Sequence, residues 1–308
     1  MKFFLKQVHL FTLFSLILFS VITAGFLHSN ELTFRDIPAP YLSNHAHYNE
    51  KLRFLRNTNI KPEILVAGSS MGVSNFHSEA LTNGFETSAH LNISSQALTL
   101  EFIYPLAKVM IQNHQPEMLI LSTNLYEFSN RHLITKNNLI EDYLSGKGAD
   151  FLYHLRTFNL SYYINNFYIN RDRRKNISSG FDNHGTINRG YGGLDDESDE
   201  EQVSIRSVRN YEYLYKLAEF CKQHEVKLVV IQSPFRDGVY TTIAEEESHY
   251  LYDHIKKIET IADTHEIIFI NTLDHKWDDE LFSTSTHFNV YGAEKFTKYI
   301  IDNIYNLM

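Results

Sequence analysis

A serine hydroxyl that can lose its proton and a histidine that can take it are the minimum for nucleophilic acyl transfer. This chain carries such a pair near its two ends. Ser69 and Ser70 close the run Pro62-Glu63-Ile64-Leu65-Val66-Ala67-Gly68-Ser69-Ser70-Met71, and His287 lies in Phe282-Ser283-Thr284-Ser285-Thr286-His287-Phe288-Asn289-Val290-Tyr291-Gly292-Ala293. Serine is a weak nucleophile at neutral pH and needs an adjacent base; histidine, titrating near neutrality, is the usual one. Two further polar groups end apolar runs: Ser94 and Ser95 in Leu91-Asn92-Ile93-Ser94-Ser95-Gln96, and Asn124 in Met118-Leu119-Ile120-Leu121-Ser122-Thr123-Asn124.

The elements that must position these residues alternate along the chain. Small or branched apolar residues at 64–67 suit a strand buried on both faces, and Gly68 gives the backbone freedom to turn sharply at its end. Strands are predicted at 63–67, 87–92, 117–122, 226–232 and 266–270. Helices are predicted at 48–57, 96–113, 205–224, 244–264 and 291–307. Strands separated by helices imply an α/β three-layer sandwich with a parallel sheet, in which ligands bind at the C-terminal strand ends. The aromatic segment 151–168 reads as a helical core or packing element, since Arg156, Asn159, Asn165 and Asn166 interrupt it too often for a membrane span.

The order of these blocks resembles the SGNH (GDSL-like) hydrolase and acyltransferase superfamily, from about residue 60 to the C-terminus. That family has a strand followed by Gly-Asp-Ser with the serine as nucleophile, and a last block of the form Asp-x-x-His-x-Asn-x-x-Gly-Ala. The resemblance puts Ser70 at the nucleophile, Ser69 at the family Asp position and His287 at the general base, with Asn289, Gly292 and Ala293 matching the tail. It puts the backbone N–H of Ser94 or Ser95, and Asn124, at the oxyanion-stabilising positions. Thr284 stands where the third triad member, an Asp, is expected. A threonine accepts a hydrogen bond but carries no charge, and losing the carboxylate of a protease triad costs about 10⁴ in kcat. Either the site is a slow dyad, or Asp274, Asp278 or Asp279 reaches His287, or catalysis is lost. The block Ile231-Gln232-Ser233-Pro234 is similar to membrane-anchored members that modify envelope polymers, among them alginate-type O-acetyltransferases and the D-alanine transfer protein of teichoic-acid synthesis. The resemblance therefore implies acyl-ester hydrolysis or O-acyl transfer on a surface polysaccharide or envelope polymer, with a polytopic membrane acyltransferase as a partner. The competing reading is a catalytically dead glycan-binding or scaffold subunit of such a complex.

Other chemistry finds less support. The 308 residues carry a net charge of −9, with no basic face to displace counterions from a nucleic acid. No dinucleotide fingerprint or phosphate-binding loop occurs, so no cofactor is expected. His45 and His47 have a chelating spacing but lie in a stretch that reads as a linker, so a surface pair is expected and no metal. The one cysteine, Cys221, lies in an amphipathic helical pattern and reads as a buried thiol. Residues 171–203, with five glycines and an acidic run at 195–201, read as a solvated insertion or mobile loop.

Residues 8–27 contain no Asp, Glu, Lys or Arg, with Lys2 and Lys6 just before them. At about 1.5 Å per residue this length crosses a bilayer core of about 30 Å. The organisation expected is a signal anchor at 1–28, a linker at 29–46 and one domain at 47–308. The flanking lysines then keep the N-terminus cytoplasmic, giving a single-pass bacterial inner-membrane protein whose domain faces the periplasm or cell exterior. Thr23-Ala24-Gly25 is a poor cleavage site. N-terminal sequencing of membrane-extracted protein is accordingly expected to start at residue 1 or 2; a start near residue 26 would show a cleaved signal peptide instead.

Overall fold

A computed structural model describes residues 2–29, 37–129, 133–169, 172, 176, 180–187 and 210–308. Five parallel strands, β1 (Ile64–Gly68), β2 (His90–Asn92), β3 (Met118–Thr123), β4 (Lys227–Gln232) and β5 (Ile268–Asn271), form one sheet in the order β2-β1-β3-β4-β5. β1, β2 and β3 are buried along their whole length, as a sheet covered on both faces requires. The register pairs Gly68 with Ser122 and Thr123 with Gln232, so the loops leaving β1, β3 and β4 emerge along one edge. Chain direction reverses across the sheet between β1 and β3, the switch point where ligands bind in open α/β sheets.

The helices are α1 (Lys2–Ser29), α2 (Ala46–Asn57), α3 (Ser70–Ser74), α4 (Ser78–Gly84), α5 (Leu100–His114), α6 (Asn137–Leu144), α7 (Asp150–Arg156), α8 (Leu160–Ile164), α9 (Glu212–Gln223), α10 (Asp237–His265) and α11 (Val290–Leu307). α2, α5, α6, α9 and the C-terminal half of α10 pack through Leu52, Ile103, Leu106, Tyr143, Leu217 and Ile261 on one face of the sheet. α4 and α11 close the other through Leu81, Phe296, Ile300 and Ile304. This is the expected three-layer α/β sandwich. Within α1, the segment Phe4–Val21 is long and apolar enough to cross a membrane, and equally fits a signal sequence.

Three expectations about peripheral segments are corrected. The stretch at 37–46 is no linker: Ala39 and Leu42 are fully buried, the Ala39 N–H donates to Glu50 Oε1 at 3.1 Å, and Ser43 bridges to Thr135. Residues 30–36 of the expected linker lie outside the described residues. Segment 151–168 is not a core helix. It breaks at Thr157, and Asn159 caps α8 by accepting from the Tyr162 N–H at 2.9 Å, so α7 and α8 each bury one tyrosine, Tyr153 and Tyr162, and turn most of their other apolar side chains outward.

The third concerns the loop expected at 171–203, of which only 172, 176 and 180–187 are described. Residues 180–187 are packed, not solvated. The Asn92 N–H donates to the His184 carbonyl at 2.8 Å, covering the open edge of β2, and the His184 ring stacks on His90 at 3.9 Å. Lys51, buried in α2, donates to the carbonyls of Gly185 and Asn92 and lies 4.1 Å from the Phe181 ring centre. β2 is also shorter than expected, because Glu86 takes a left-handed turn (φ 54°) just before it.

This clasp titrates. Burial lowers Lys51 from its usual 10.5 to about 7, against the opposing pull of Asp182. Burial, then the neighbouring His184, lowers His90 from 6.5 to about 4. In each case the unfolded chain binds more protons than the fold between the two pKa values, so stability rises with pH across that window. The melting midpoint is expected to climb from pH 4 to 6.5 through His90, and from pH 7 to 10.5 through Lys51. His90→Phe should flatten the first limb and Lys51→Met the second, measured as slopes of thermal midpoint against pH.

Candidate active site

β1 is forced into contact with its neighbour at its last residue. A Cβ on Gly68 would stand 2.7 Å from the Ser122 carbonyl oxygen and 3.1 Å from Gly72 Cα, so only glycine permits β1 to run into α3 there. Ser69 is the N-cap and Ser70 the first residue of α3. The first N–H groups of a helix have no intrahelical acceptor, so those of Ser70 and Met71 are open to an external one.

His287 arrives from the far end of the chain in a tightly held loop. Phe282 bridges to Phe288, the Ser283 N–H donates to the His287 carbonyl at 2.8 Å, and the Arg236 N–H from the loop after β4 donates to the Ser285 carbonyl at 2.9 Å. Asn289 caps α11 through the N–H groups of Tyr291 and Gly292, and a side chain on Gly292 would collide with the Leu281 carbonyl. Asn75, directly after α3, joins the two halves of the site: its Nδ2 donates to the Thr286 carbonyl at 3.1 Å and its Oδ1 accepts from the Phe288 N–H at 3.0 Å. It thus grips the backbone on both sides of His287.

The result is a cavity of about 240 Å³ at the C-terminal edge of the sheet, lined among others by Ser69, Ser70, Gln96, Ala97, Tyr126 and His287. No carboxylate is among its lining residues. Behind the histidine, Thr284 Oγ1 lies 2.8 Å from His287 Nδ1 and Thr286 Oγ1 lies 3.3 Å from it. The Thr284 hydroxyl thus stands against Nδ1 of the imidazole. Asp274, Asp278 and Asp279 are exposed; Asp274 lies near Asn271, and Asp279 accepts from the Asp237 N–H at 3.3 Å.

The expected oxyanion donors divide. The Ser94 N–H donates to Asn92 Oδ1 at 3.0 Å and the Ser95 N–H to the Gly68 carbonyl at 3.3 Å, so both are committed to the fold and neither serves as assigned. Asn92 makes an Asx-type turn, a local signal that was available in the sequence. Asn124 sits one residue beyond β3 on the same edge, buried and not itself lining the cavity, with its Nδ2 on Met71 Sδ at 3.0 Å and its Oδ1 accepting from the Tyr126 N–H at 2.6 Å. A thioether is a weak acceptor, so this donor is readily redirected. Ala97, in the cavity wall, is held at φ 62°, where an alanine is strained.

The histidine pair is also corrected. His47 is buried, with Nδ1 2.9 Å from Ser95 Oγ, and His45 lines the cavity itself. No group of three or more metal-ligating side chains occurs among the described residues. Cys221 is buried as expected, and burial raises its thiol to about 12.

Neither a family model nor a curated protein matches the sequence. Twenty-one chains of solved structures are similar to it, and two of them serve as examples. One is a GDSL-like lipase from Bacteroides thetaiotaomicron, 11% identical over 84% of this chain and 99% of its own, with a TM-score of 0.41. The other, from Bacteroides fragilis, is provisionally described as an acylhydrolase and is 10% identical over 80% of this chain and 88% of its own, with a TM-score of 0.38.

The Asn75 clamp is testable without knowing the reaction. Asn75→Ala removes two buried hydrogen bonds and leaves their backbone partners unsatisfied, an expected loss of about 2 kcal/mol. Denaturant midpoints of the full chain in detergent measure it; a loss under about 0.5 kcal/mol would mean the loop is held without the clamp.

Proposed function

We propose that this chain is a membrane-anchored member of the SGNH hydrolase and acyltransferase superfamily that hydrolyses or transfers a short O-acyl group on a cell-surface glycan or envelope polymer. The observation that carries this reading is the meeting of Ser70 and His287 in one cavity at the sheet edge, with the Thr284 hydroxyl 2.8 Å behind the imidazole. A volume of about 240 Å³ lies below the roughly 300–1,000 Å³ of sites that enclose drug-sized ligands, which suits a short acyl group on a polymer that stays outside.

In the proposed reaction Ser70 Oγ attacks the acyl carbonyl carbon while His287 Nε2 takes the hydroxyl proton. The oxyanion is met by the N–H groups of Ser70 and Met71 and by the redirected Asn124 amide. Collapse breaks the ester C–O bond, His287 returns the proton to the leaving alcohol, and the acyl group remains on Ser70. Water or a sugar hydroxyl then attacks this acyl-enzyme, giving its proton to His287, and Ser70 is regenerated. With Thr284 Oγ1 accepting an Nδ1–H, the imidazole lone pair lies on Nε2, which lets that nitrogen act as base, but the hydroxyl adds no charge to stabilise the imidazolium. A polytopic membrane acyltransferase as acyl source, and a periplasmic or extracellular domain, belong to this proposal. A non-catalytic scaffold or glycan-binding subunit is the second reading, favoured by the absence of a carboxylate from the cavity lining.

Purified full chain is expected to hydrolyse p-nitrophenyl acetate slowly, and Ser70→Ala to abolish this. Thr284→Asp puts a negative charge against Nδ1, and activity should rise by up to the roughly 10⁴ that a missing triad carboxylate costs. If neither wild type nor folded Thr284→Asp turns over any acyl ester or transfers an acyl group, the scaffold reading replaces the enzyme.

A further inference from the structure

A cleft of about 1280 Å³ lies away from the serine and histidine. It is walled by Phe54, Phe151, Leu155, Phe158 and Tyr163 from the domain and by Phe19 from α1. The apolar wall continues onto open surface. Phe151, Leu152, Leu155, Phe158, Leu160 and Ile164 are all exposed, Phe158 by 65%, within a stretch of fewer than twenty residues. Exposed apolar residues scattered singly need no explanation, but a contiguous patch of this kind marks an interaction site.

The occupant follows from Phe19. It lies two residues from the end of the apolar window Phe4–Val21, hence about 3 Å inside the hydrocarbon boundary if that window spans the bilayer. Phe151, Leu155 and Phe158 line the same cleft as Phe19, which puts them beside this end of the apolar window. Of the charged groups at the cleft, Arg53 pairs with Glu50, and Asp150 lies 3.4 Å from His154 and 3.9 Å from Arg56; Arg156, exposed on α7, has a stem long enough to carry its charge out to the headgroups. His154 and Tyr163, joined Nδ1 to OH at 2.7 Å, are rings with one apolar and one polar side, the type that settles at headgroup level.

We infer that α7 and α8 form a membrane-surface platform, whose outward apolar side chains enter the outer part of the leaflet beside α1 and seat the domain on lipid. This rests on the proposal that α1 stays in the membrane, and not on the proposed chemistry.

The test uses the full chain in lipid nanodiscs of phosphatidylcholine and phosphatidylglycerol. Because Cys221 is buried, a cysteine placed at Phe158 takes an environment-sensitive NBD label selectively. Phe11→Cys, in α1, reports the anchor, and Tyr305→Cys, exposed on α11 in the opposite layer, is the control. Quenching by doxyl lipids should be several-fold at Phe158 and Phe11 and absent at Tyr305. Should Phe158→Cys fail to fold, Leu160→Cys, exposed by 61%, takes its place with the same expectation. Quenching at Phe11 alone overturns the platform while leaving the anchor, and assigns the apolar face to a protein partner. Quenching at neither overturns both.

Discussion

Asn75 holds together parts of the chain that are 211 and 213 residues apart. One side of its amide accepts and the other donates, and both bonds go to backbone atoms that flank His287. The serine turn and the histidine loop are otherwise built on different elements, one leaving β1 and the other leading into α11. Both bonds are buried, so water cannot substitute if either is lost, and the amide fixes the spacing of the two loops in a way an apolar contact could not. Gly68 and Gly292 serve the same end from below. They bring the backbone close enough for α3 and α11 to start where the cavity requires.

The centre of the sheet was legible because β1, β3 and nearly all of β4 are buried and read as largely apolar runs, whereas β5 is only half-buried and β2 is His-Leu-Asn. β1, β3 and β4 begin one residue later than predicted, and β5 two. The positions of Ser70, His287 and Asn124 near the sheet edge were legible for a related reason, since each follows an apolar strand or precedes a helix cap, and those signals are local. Thr284 was placed beside His287 by the resemblance, whose last block has an Asp at that position. Asn75 could not be found in this way. Its partners are main-chain groups, which have no side-chain signature, and they are remote in sequence.

The misreadings share a cause. Residues 37–46, His47, and the loop at 180–187 are polar or irregular in composition, yet each is buried by tertiary packing: Ala39 under Glu50 and Tyr162, His47 on Ser95, Thr186 beside Asn92. Segment 151–168 fails in the opposite sense. Its apolar content was plain, but whether an apolar helix faces the core or the outside is decided by what it meets. The Asn159 cap splits it into short pieces, which bury Tyr153 and Tyr162 while most other apolar side chains face outward.

α2 touches both special regions of the molecule. His45, its N-cap, lines the cavity of Ser70 and His287, while Asn57 and Thr58 at its other end line the apolar cleft shared with Phe19. Twelve helical residues at about 1.5 Å each make a rigid strut of about 18 Å. If the cleft sits at the lipid as proposed, α2 sets how far the cavity of Ser70 and His287 stands from the bilayer. On the proposed reading, whatever is acylated or deacylated there would be selected by whether it can reach that cavity, as well as by its chemistry.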